Sequence, residues 1–255
     1  MNPERVLATL AAHGSRWRGP VVHLATTAST QDVVRQAAAA GAPEGHVAVA
    51  DEQTHGRGRQ GRAWVAPVGS ALLASVLLRP AVAASQLPPL ALVVGLALHD
   101  ALAPLVPPGR LRLKWPNDLL LDGRKLAGVL VEASLRGDRP EAVVAGFGIN
   151  LTPAALPPDV AARAACLAEA TGSTPERDDI LARALVALDR RLATFVRSGL
   201  APLLPDLRSA DATHGRRVRW GDHEATAQGI DDEGRLLLDT PTGPVAAVAG
   251  EVVFL

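Results

Sequence analysis

Residues 56–62 have the sequence Gly-Arg-Gly-Arg-Gln-Gly-Arg, and this segment constrains the fold strongly. So many glycines disfavour both a helix and a strand interior, and arginines this close to one another repel. Glycines also let backbone N–H groups approach a ligand, while guanidinium groups match the geometry of phosphate or carboxylate. The segment therefore predicts a cationic loop that closes over an anion, and one that is mobile without that anion.

The same residues match the pattern G-x-G-x-x-G, which indicates dinucleotide binding when it connects a strand to a helix. A strand-like run at residues 46–50 precedes the pattern, but residues 62–67 after it do not begin a helix. This context argues against a dinucleotide-binding domain. The loop alone leaves two further interpretations open: a solvated surface loop, or a basic hook for nucleic acid.

The overall charge bears on the choice of partner. The chain has 255 residues, of which 48% are hydrophobic, with 26 basic and 26 acidic side chains. This length predicts one large domain or two unequal ones. A balanced charge gives no overall field to attract DNA or an anionic membrane. We therefore expect neither a nucleic-acid partner nor a membrane partner.

A single cysteine, Cys166, excludes an intramolecular disulfide and is predicted to be a buried apolar residue. The chain has neither a secretory signal nor an uninterrupted apolar run of about 18 residues. We expect a cytoplasmic protein, and the sequence leaves open whether it is a monomer or a weak homodimer.

Lysine is rare in this chain. Among the 26 basic residues only Lys114 and Lys125 are lysine, and both lie within twelve residues of each other, together with Asn117, one of only three asparagines. Arginine serves elsewhere, so these positions are predicted to need a compact ammonium or a neutral amide.

Hydrophobic periodicity and turn residues predict the secondary structure. The predicted helices are a short one before residue 19, then 30–41, 87–105, 159–171 and 178–198; the predicted strands are 21–24, 46–50, 70–78, 110–115, 119–121, 124–132 and 141–151. Asp122-Gly123 is predicted to be a two-residue hairpin turn. Ser29 and Thr30 either cap the second helix or direct their hydroxyls at a polar ligand.

Beyond residue 209 the helical pattern stops, and short strand-like runs separated by turns predict a small barrel of about five strands. We place a domain boundary there, giving a large domain at 1–209 and a β-barrel at 210–255.

Four blocks, taken in order, resemble the bacterial biotin protein ligases. They are Ser29-Thr30, residues 56–64, residues 114–118 with 125–132, and residues 146–150. The resemblance covers nearly the whole chain and implies an α+β fold. That fold is a mixed central sheet flanked by helices, as in class II synthetases, followed by an SH3-like barrel. It also implies the ligase-only form, without the N-terminal DNA-binding domain of bifunctional members.

The resemblance implies that the protein activates biotin with Mg-ATP to biotinyl-5′-AMP. It then transfers biotin to a lysine of a biotin carboxyl carrier domain, of the acetyl-CoA or pyruvate carboxylase type. The reaction needs no enzyme nucleophile, only positioning and charge neutralisation. The implied catalytic residues are Arg57, Arg59, Lys114, Asp118 and Lys125, with Asp118 either binding Mg²⁺ or orienting the acceptor lysine.

The same resemblance assigns two sets of ligand contacts. The implied biotin-binding residues are Ser29, Thr30, Gln31, Gln53, Arg57, Gly58, Arg59, Lys125, Gly128, Gly146 and Gly148. The implied adenylate-binding residues are Arg57, Arg59, Arg62, Trp64, Asn117, Lys125 and Asn150, with Arg62 near the departing pyrophosphate and Trp64 either stacked on adenine or buried. Position 31 is usually asparagine in this family, so Gln31→Asn is predicted to keep or improve biotin affinity.

Two rival functions follow from the same residues. A lipoate or octanoate protein ligase has the same broader fold, but the arginine-rich loop and the Lys-Trp-Pro-Asn-Asp block favour biotin. A nucleic-acid-binding module is opposed by the zero net charge.

Overall fold

Seven strands of the computed structural model, which describes residues 1–17 and 19–255, form a mixed sheet in the order β1-β2-β3-β7-β6-β5-β4. These strands are β1 Val21–Thr27, β2 Val47–Gln53, β3 Ala71–Leu78, β4 Leu111–Lys114, β5 Asp118–Leu121, β6 Arg124–Arg136 and β7 Arg139–Asn150. Only the β1–β2 pair is parallel; the other neighbours are antiparallel. The predicted mixed sheet is confirmed.

Helices cover both faces of this sheet. They are α1 Pro3–Ala12, α2 Thr30–Ala39, α3 Leu90–Leu102, α4 Pro158–Ala161, α5 Ala168–Thr171, α6 Arg177–Ser198 and α7 Leu204–Ala210. Alternate strand residues face opposite sides. Val47, Val49 and Val76 therefore join the large core under α3 and α6, whereas Ala48 and Leu77 pack with Val34 of α2. All eight residues of β3 are buried between these layers.

The predicted hairpin turn is confirmed. Asp122 and Gly123 connect β5 to β6 with φ angles of 51° and 78°. Positive φ at both central residues is the geometry that matches the twist of the two strands. The register of the hairpin then shifts between Leu119 and Leu120, so that Lys125 lies beside an irregularity of the ladder. Such a bulge turns a side chain out of the regular alternation.

The predicted single helix at 159–171 is wrong. Only α4 and α5 form, and the residues between them run beside β6, where Lys125 forms a bridge with Ala164. The Lys125 N–H donates to the Arg163 carbonyl at 2.7 Å, and the Ala165 N–H donates to the Lys125 carbonyl at 2.9 Å. These bonds to β6 replace the intrahelical ones. The predicted helix 87–105 is also shorter than expected, because Pro89 precedes its first turn and a 3₁₀ turn follows it.

Five antiparallel strands form a second sheet in the order β11-β10-β9-β8-β12. Their bounds are β8 Arg217–Trp220, β9 His223–Ile230, β10 Leu236–Thr240, β11 Gly243–Ala247 and β12 Val252–Phe254. The predicted five-stranded module is confirmed, while the exact boundary at residue 210 stays a prediction. Trp115 Nε1 donates to the Gly234 carbonyl at 3.0 Å and joins the two sheets.

Within the described residues, we find no helix whose length and apolar character would let it cross a lipid bilayer.

Candidate active site

One cavity gathers the residues that the sequence predicted. It encloses about 160 Å³ and is lined by every predicted site residue except Asn150. Its floor is formed by the antiparallel strands β3, β7 and β6, and its cover is the glycine-rich loop at 56–64. We call this the first cavity.

Hydroxyl and amide groups form one end of the first cavity. Thr30 Oγ1 lies 2.7 Å from Ser75 Oγ, and Gln53 Oε1 accepts from both the Thr30 N–H and the Thr30 hydroxyl. Ser29 is the N-cap residue of α2, yet its side chain makes no capping hydrogen bond. The capping interpretation of Ser29 is therefore wrong, and its hydroxyl is available to a ligand.

Gln31 extends the polar end across the sheet. Its Nε2 donates to the Leu130 carbonyl at 2.9 Å, whereas its Oε1 is buried without a hydrogen-bond partner. A buried acceptor without a partner is costly, so this atom marks a place where a ligand N–H would bind.

Glycines on the floor make room for side chains above them. Gly128 of β6 and Gly148 of β7 are directly paired. A Cβ added at Gly148 would lie 2.4 Å from the Trp64 ring, and one added at Gly128 would lie 3.0 Å from the same ring. Gly146 similarly leaves room for the Gln31 amide. Trp64 therefore lies against the sheet because two facing positions carry no side chain.

The opposite end of the first cavity is cationic. Lys125 Nζ lies 2.7 Å from Asp118 Oδ1 and 5.5 Å from the centre of the Trp64 ring. Asp118 Oδ1 is buried, and this ion pair with the Lys125 ammonium compensates its charge. The β5–β6 bulge and the Arg163–Ala165 segment hold the Lys125 backbone in place.

Burial changes the acidity of two cations in this wall. It lowers the pKa of the Lys114 ammonium, against the opposing effect of Asp118 and Glu251. It also lowers the pKa of the Arg59 guanidinium, against Asp118. Charged groups removed from water interact more strongly with an incoming anion, because the surroundings screen them less.

The loop has a defined structure. Arg57 forms a bridge with Ala63, and the Trp64 N–H donates to the Gly56 carbonyl at 2.9 Å. The predicted mobility of this loop without an anion stays a prediction, but its arginines have partners that offset their mutual repulsion. Arg57 pairs with Asp32 and Glu132, Arg59 donates to Asn117 and Gly250, and Arg62 pairs with Glu251.

A second cavity of about 450 Å³ adjoins the first. The residues that line both are Arg62, Ala63, Trp64, Lys114, Asp118, Lys125 and Glu251. Asn150 lies here and not in the first cavity. Its amide donates to the Ala165 carbonyl at 3.0 Å and to the Lys125 carbonyl at 3.3 Å. Asn150 thus supports the backbone of Lys125 while its side chain lines the second cavity.

The carboxylate groups of the site suit a metal ion that takes most of its ligands from the substrate. The described residues contain no cluster of three or more His, Cys, Asp or Glu side chains that could hold a metal ion. Asp118 supplies one carboxylate to the cavity wall, and its Oδ1 lies 2.7 Å from the Lys125 ammonium. Mg²⁺ often binds through one or two carboxylates together with substrate phosphates, and Asp118 fits that arrangement.

Several residues of the site were not identified from the sequence. Ser75 is fully buried, and as the only polar residue of β3 it carried a signal that could have identified it. Asp32, Glu132 and Glu251 pair with the loop arginines, and no local pattern distinguishes them from other surface acids.

Two family models match the two sheets. Residues 24–150 match the Biotin/lipoate A/B protein ligase family, and residues 213–255 match the Biotin protein ligase C terminal domain. The class of protein is thus that of the protein ligases for biotin or lipoate.

The relatives narrow this class. The chain is 38% identical to the biotin–[acetyl-CoA-carboxylase] ligase of Mycobacterium tuberculosis, over 96% of this chain and 92% of that protein. It is 38% identical to the enzyme of the same name from Paracoccus denitrificans, over 81% of this chain and 89% of that protein. The biotin protein ligase of Aquifex aeolicus in complex with biotin and ATP superposes with a TM-score of 0.78 and 29% identity, over 92% and 98% of the two chains. The chain belongs to the biotin protein ligase family.

Proposed function

We propose that this protein activates biotin with ATP to biotinyl-5′-AMP and transfers the biotin to a lysine of a biotin carboxyl carrier domain. The observation that supports this most directly is the pair of adjoining cavities with Lys125 and Trp64 in their common wall. One cavity has polar groups suited to a small polar ring, and the other has room for a nucleotide. The relatives named for acetyl-CoA carboxylase point to that enzyme's carrier domain as the acceptor.

In the first half-reaction, a carboxylate oxygen of biotin attacks the α-phosphorus of ATP, and pyrophosphate leaves. Both reactants are anions, so fixed cations reduce their repulsion and stabilise the charge that develops in the transition state. We assign this task to Lys125 and Arg59, with Lys114 as their electrostatic neighbour. Arg62 lies between the cavities and is assigned to the departing pyrophosphate.

In the second half-reaction, the acceptor amine attacks the carbonyl of the mixed anhydride, an amide forms, and AMP leaves. The attacking amine loses a proton during this step. Asp118 is a carboxylate of the shared wall, lies beside Lys125, and is assigned either to accept that proton or to hold Mg²⁺. When bound, Mg²⁺ supplies additional charge neutralisation at the phosphates.

The binding roles follow the two cavities. Ser29, Thr30, Gln31 and Gln53 are proposed to bind the ureido ring of biotin, above the backbone of Gly128, Gly146 and Gly148. Gly58 supplies loop backbone, and Arg57 offers its Nε–H. Trp64, Asn117 and Asn150 are assigned to the adenylate side; Asn117 also accepts from Arg59 at 3.3 Å, which connects the loop to β5.

Exchange of labelled pyrophosphate into ATP tests the proposal without a carrier domain. Exchange should require biotin, should be absent without Mg²⁺, and should not be supported by lipoate or octanoate. Exchange with lipoate and none with biotin would identify the rival ligase. No exchange with any of these acids would overturn the adenylation proposal.

A further inference from the structure

Four charged residues form a closed network on the outer side of the first cavity. Arg57 donates through Nη2 to Asp32 at 3.0 Å, and through Nη1 and Nη2 to Glu132 at 3.3 and 3.2 Å. Arg35 pairs with the same two acids, at 3.1 Å to Asp32 and 3.0 Å to Glu132. We call these four residues the clamp.

The clamp joins three separate parts of the chain. Asp32 and Arg35 lie on α2, Glu132 lies on β6, and Arg57 lies in the glycine-rich loop. The backbones of Arg57 and Ala63 form an antiparallel β-bridge, which connects the clamp to the other side of the loop. Holding Arg57 therefore holds both sides of the segment that covers the cavity.

Arg57 differs from the other loop arginines because its charge is matched by two carboxylates. Both terminal nitrogens of its guanidinium donate to carboxylates, and the clamp contains two cations and two anions, so its net charge is zero. A cation already matched by two carboxylates does little to neutralise a triphosphate. Of the two N–H groups that these bonds leave over, the one on Arg57 Nε is buried without a hydrogen-bond partner, and Arg57 lines the first cavity.

We propose that Arg57 is a positioning residue, held by Asp32, Arg35 and Glu132 so that the glycine-rich loop stays closed over the acyl adenylate. On this proposal, which rests on the proposed function, Arg57 offers a substrate oxygen its Nε–H but not an unpaired positive charge. Arg59, Arg62 and Lys125 supply the charge that the reaction needs. Glu132 and Asp32 thereby control how long the adenylate is retained, although neither needs to touch it.

Limited trypsin digestion tests the clamp independently of catalysis, because Arg57, Arg59 and Arg62 are themselves cleavage sites in the loop. In the ligand-free protein, Glu132→Gln and Asp32→Asn should each be cleaved at the loop up to about fivefold faster than the parent, since a partly exposed ion pair is lost. Glu141→Gln is the matched control: Glu141 pairs with Arg136 on the β6–β7 hairpin, away from the cavity. Cleavage of both clamp variants at the rate of this control would overturn the proposal.

Kinetics supply the second readout. In pyrophosphate exchange, Glu132→Gln should raise the KM for biotin by up to about fivefold and change kcat little, because closure is weakened while the reacting groups stay. It should also release biotinyl-AMP into solution faster, and Glu132→Asp should restore part of the loss. A fall in kcat at unchanged KM would overturn the positioning role. If the parent protein shows no exchange, the proposed function fails, while the digestion result still decides whether the clamp closes the loop.

Discussion

Arg62 Nη1 donates to Glu251 Oε1 at 2.6 Å, so a residue preceding β12 of the second sheet contacts the glycine-rich loop of the first. The two residues are 189 positions apart in the chain. Gly250 and Glu251 line the first cavity, and Arg59 lies 3.5 Å from the Gly250 carbonyl. The second sheet therefore contributes a carboxylate to the place where we expect the pyrophosphate to leave.

This carboxylate competes with phosphate for Arg62. We expect Glu251→Gln to lower the KM for ATP by up to about fivefold, because an exposed ion pair contributes about 1 kcal/mol at most. Pyrophosphate exchange at varied ATP gives this constant. Glu224→Gln, which removes a comparable pair with Arg217 on the same sheet, should leave it unchanged. A higher KM for ATP in Glu251→Gln would mean that Glu251 orients Arg62 instead.

Lys125 is predicted to be essential for adenylation and unimportant for folding. Its Nζ contacts Asp118 and the Trp64 ring in the common wall, while its side chain stays 39% exposed. Lys125→Ala should slow exchange by about 10²–10³-fold, the typical cost of losing one group that stabilises transition-state charge. Thermal unfolding should change little, as for the exposed control Arg136→Ala. Exchange within a few-fold of the parent would remove Lys125 from the reacting centre.

The effect of Gln31→Asn is a prediction on which the family resemblance and the contacts of Gln31 disagree, and from the contacts we expect weaker biotin binding. The Gln31 amide reaches the Leu130 carbonyl at 2.9 Å, and a side chain one methylene shorter would lose that bond. The buried amide would then be held less firmly, and the KM for biotin should rise about tenfold. Retained or improved affinity would show that asparagine serves equally well in this slot.

Local patterns predicted most of the fold. The Asp122-Gly123 turn and the alternating strand at 110–115 depend on neighbouring residues, and both appear in the structure. The segment 159–171 was predicted wrongly because its backbone bonds go to Lys125, which no local pattern indicates. Tertiary contacts decide whether such a short segment forms a helix.

The candidate site also contains residues that local sequence indicates and residues that it does not. Arg57, Arg59 and Lys125 were found because their residue types are unusual in their surroundings. Their partners Glu132 and Glu251 are ordinary acids brought close by folding, and the sequence does not distinguish them from others. Ser75 is the exception, since a lone hydroxyl in a buried apolar strand was visible in the sequence.

Gly148→Ala should displace Trp64 from the common wall. The added Cβ would lie 2.4 Å from the ring, closer than real contacts allow. We expect exchange to slow by about tenfold or more, since small displacements in an active site are costly. In a Trp64→Ala background the same substitution should cost much less, because the clash is removed; a double-mutant cycle measures this. Equal losses in both backgrounds would show that Gly148 has a role independent of Trp64.

Lys114 should give the exchange reaction an alkaline limit. Burial lowers its pKa below the usual 10.5, with Asp118 and Glu251 opposing the shift and Lys125 and Arg62 reinforcing it. As pH rises through this lowered pKa, the ammonium loses its proton and the cavity loses a cation, so exchange should fall. The stability of the protein depends on this proton in the opposite way: it increases with pH where exchange decreases. The unfolded chain holds this proton up to a higher pH, so the free energy of unfolding contributed by Lys114 rises between the lowered pKa and 10.5. Lys114→Arg keeps its charge throughout this range and should shift the fall in exchange to higher pH. An unchanged alkaline limit in Lys114→Arg would assign that limit to another group.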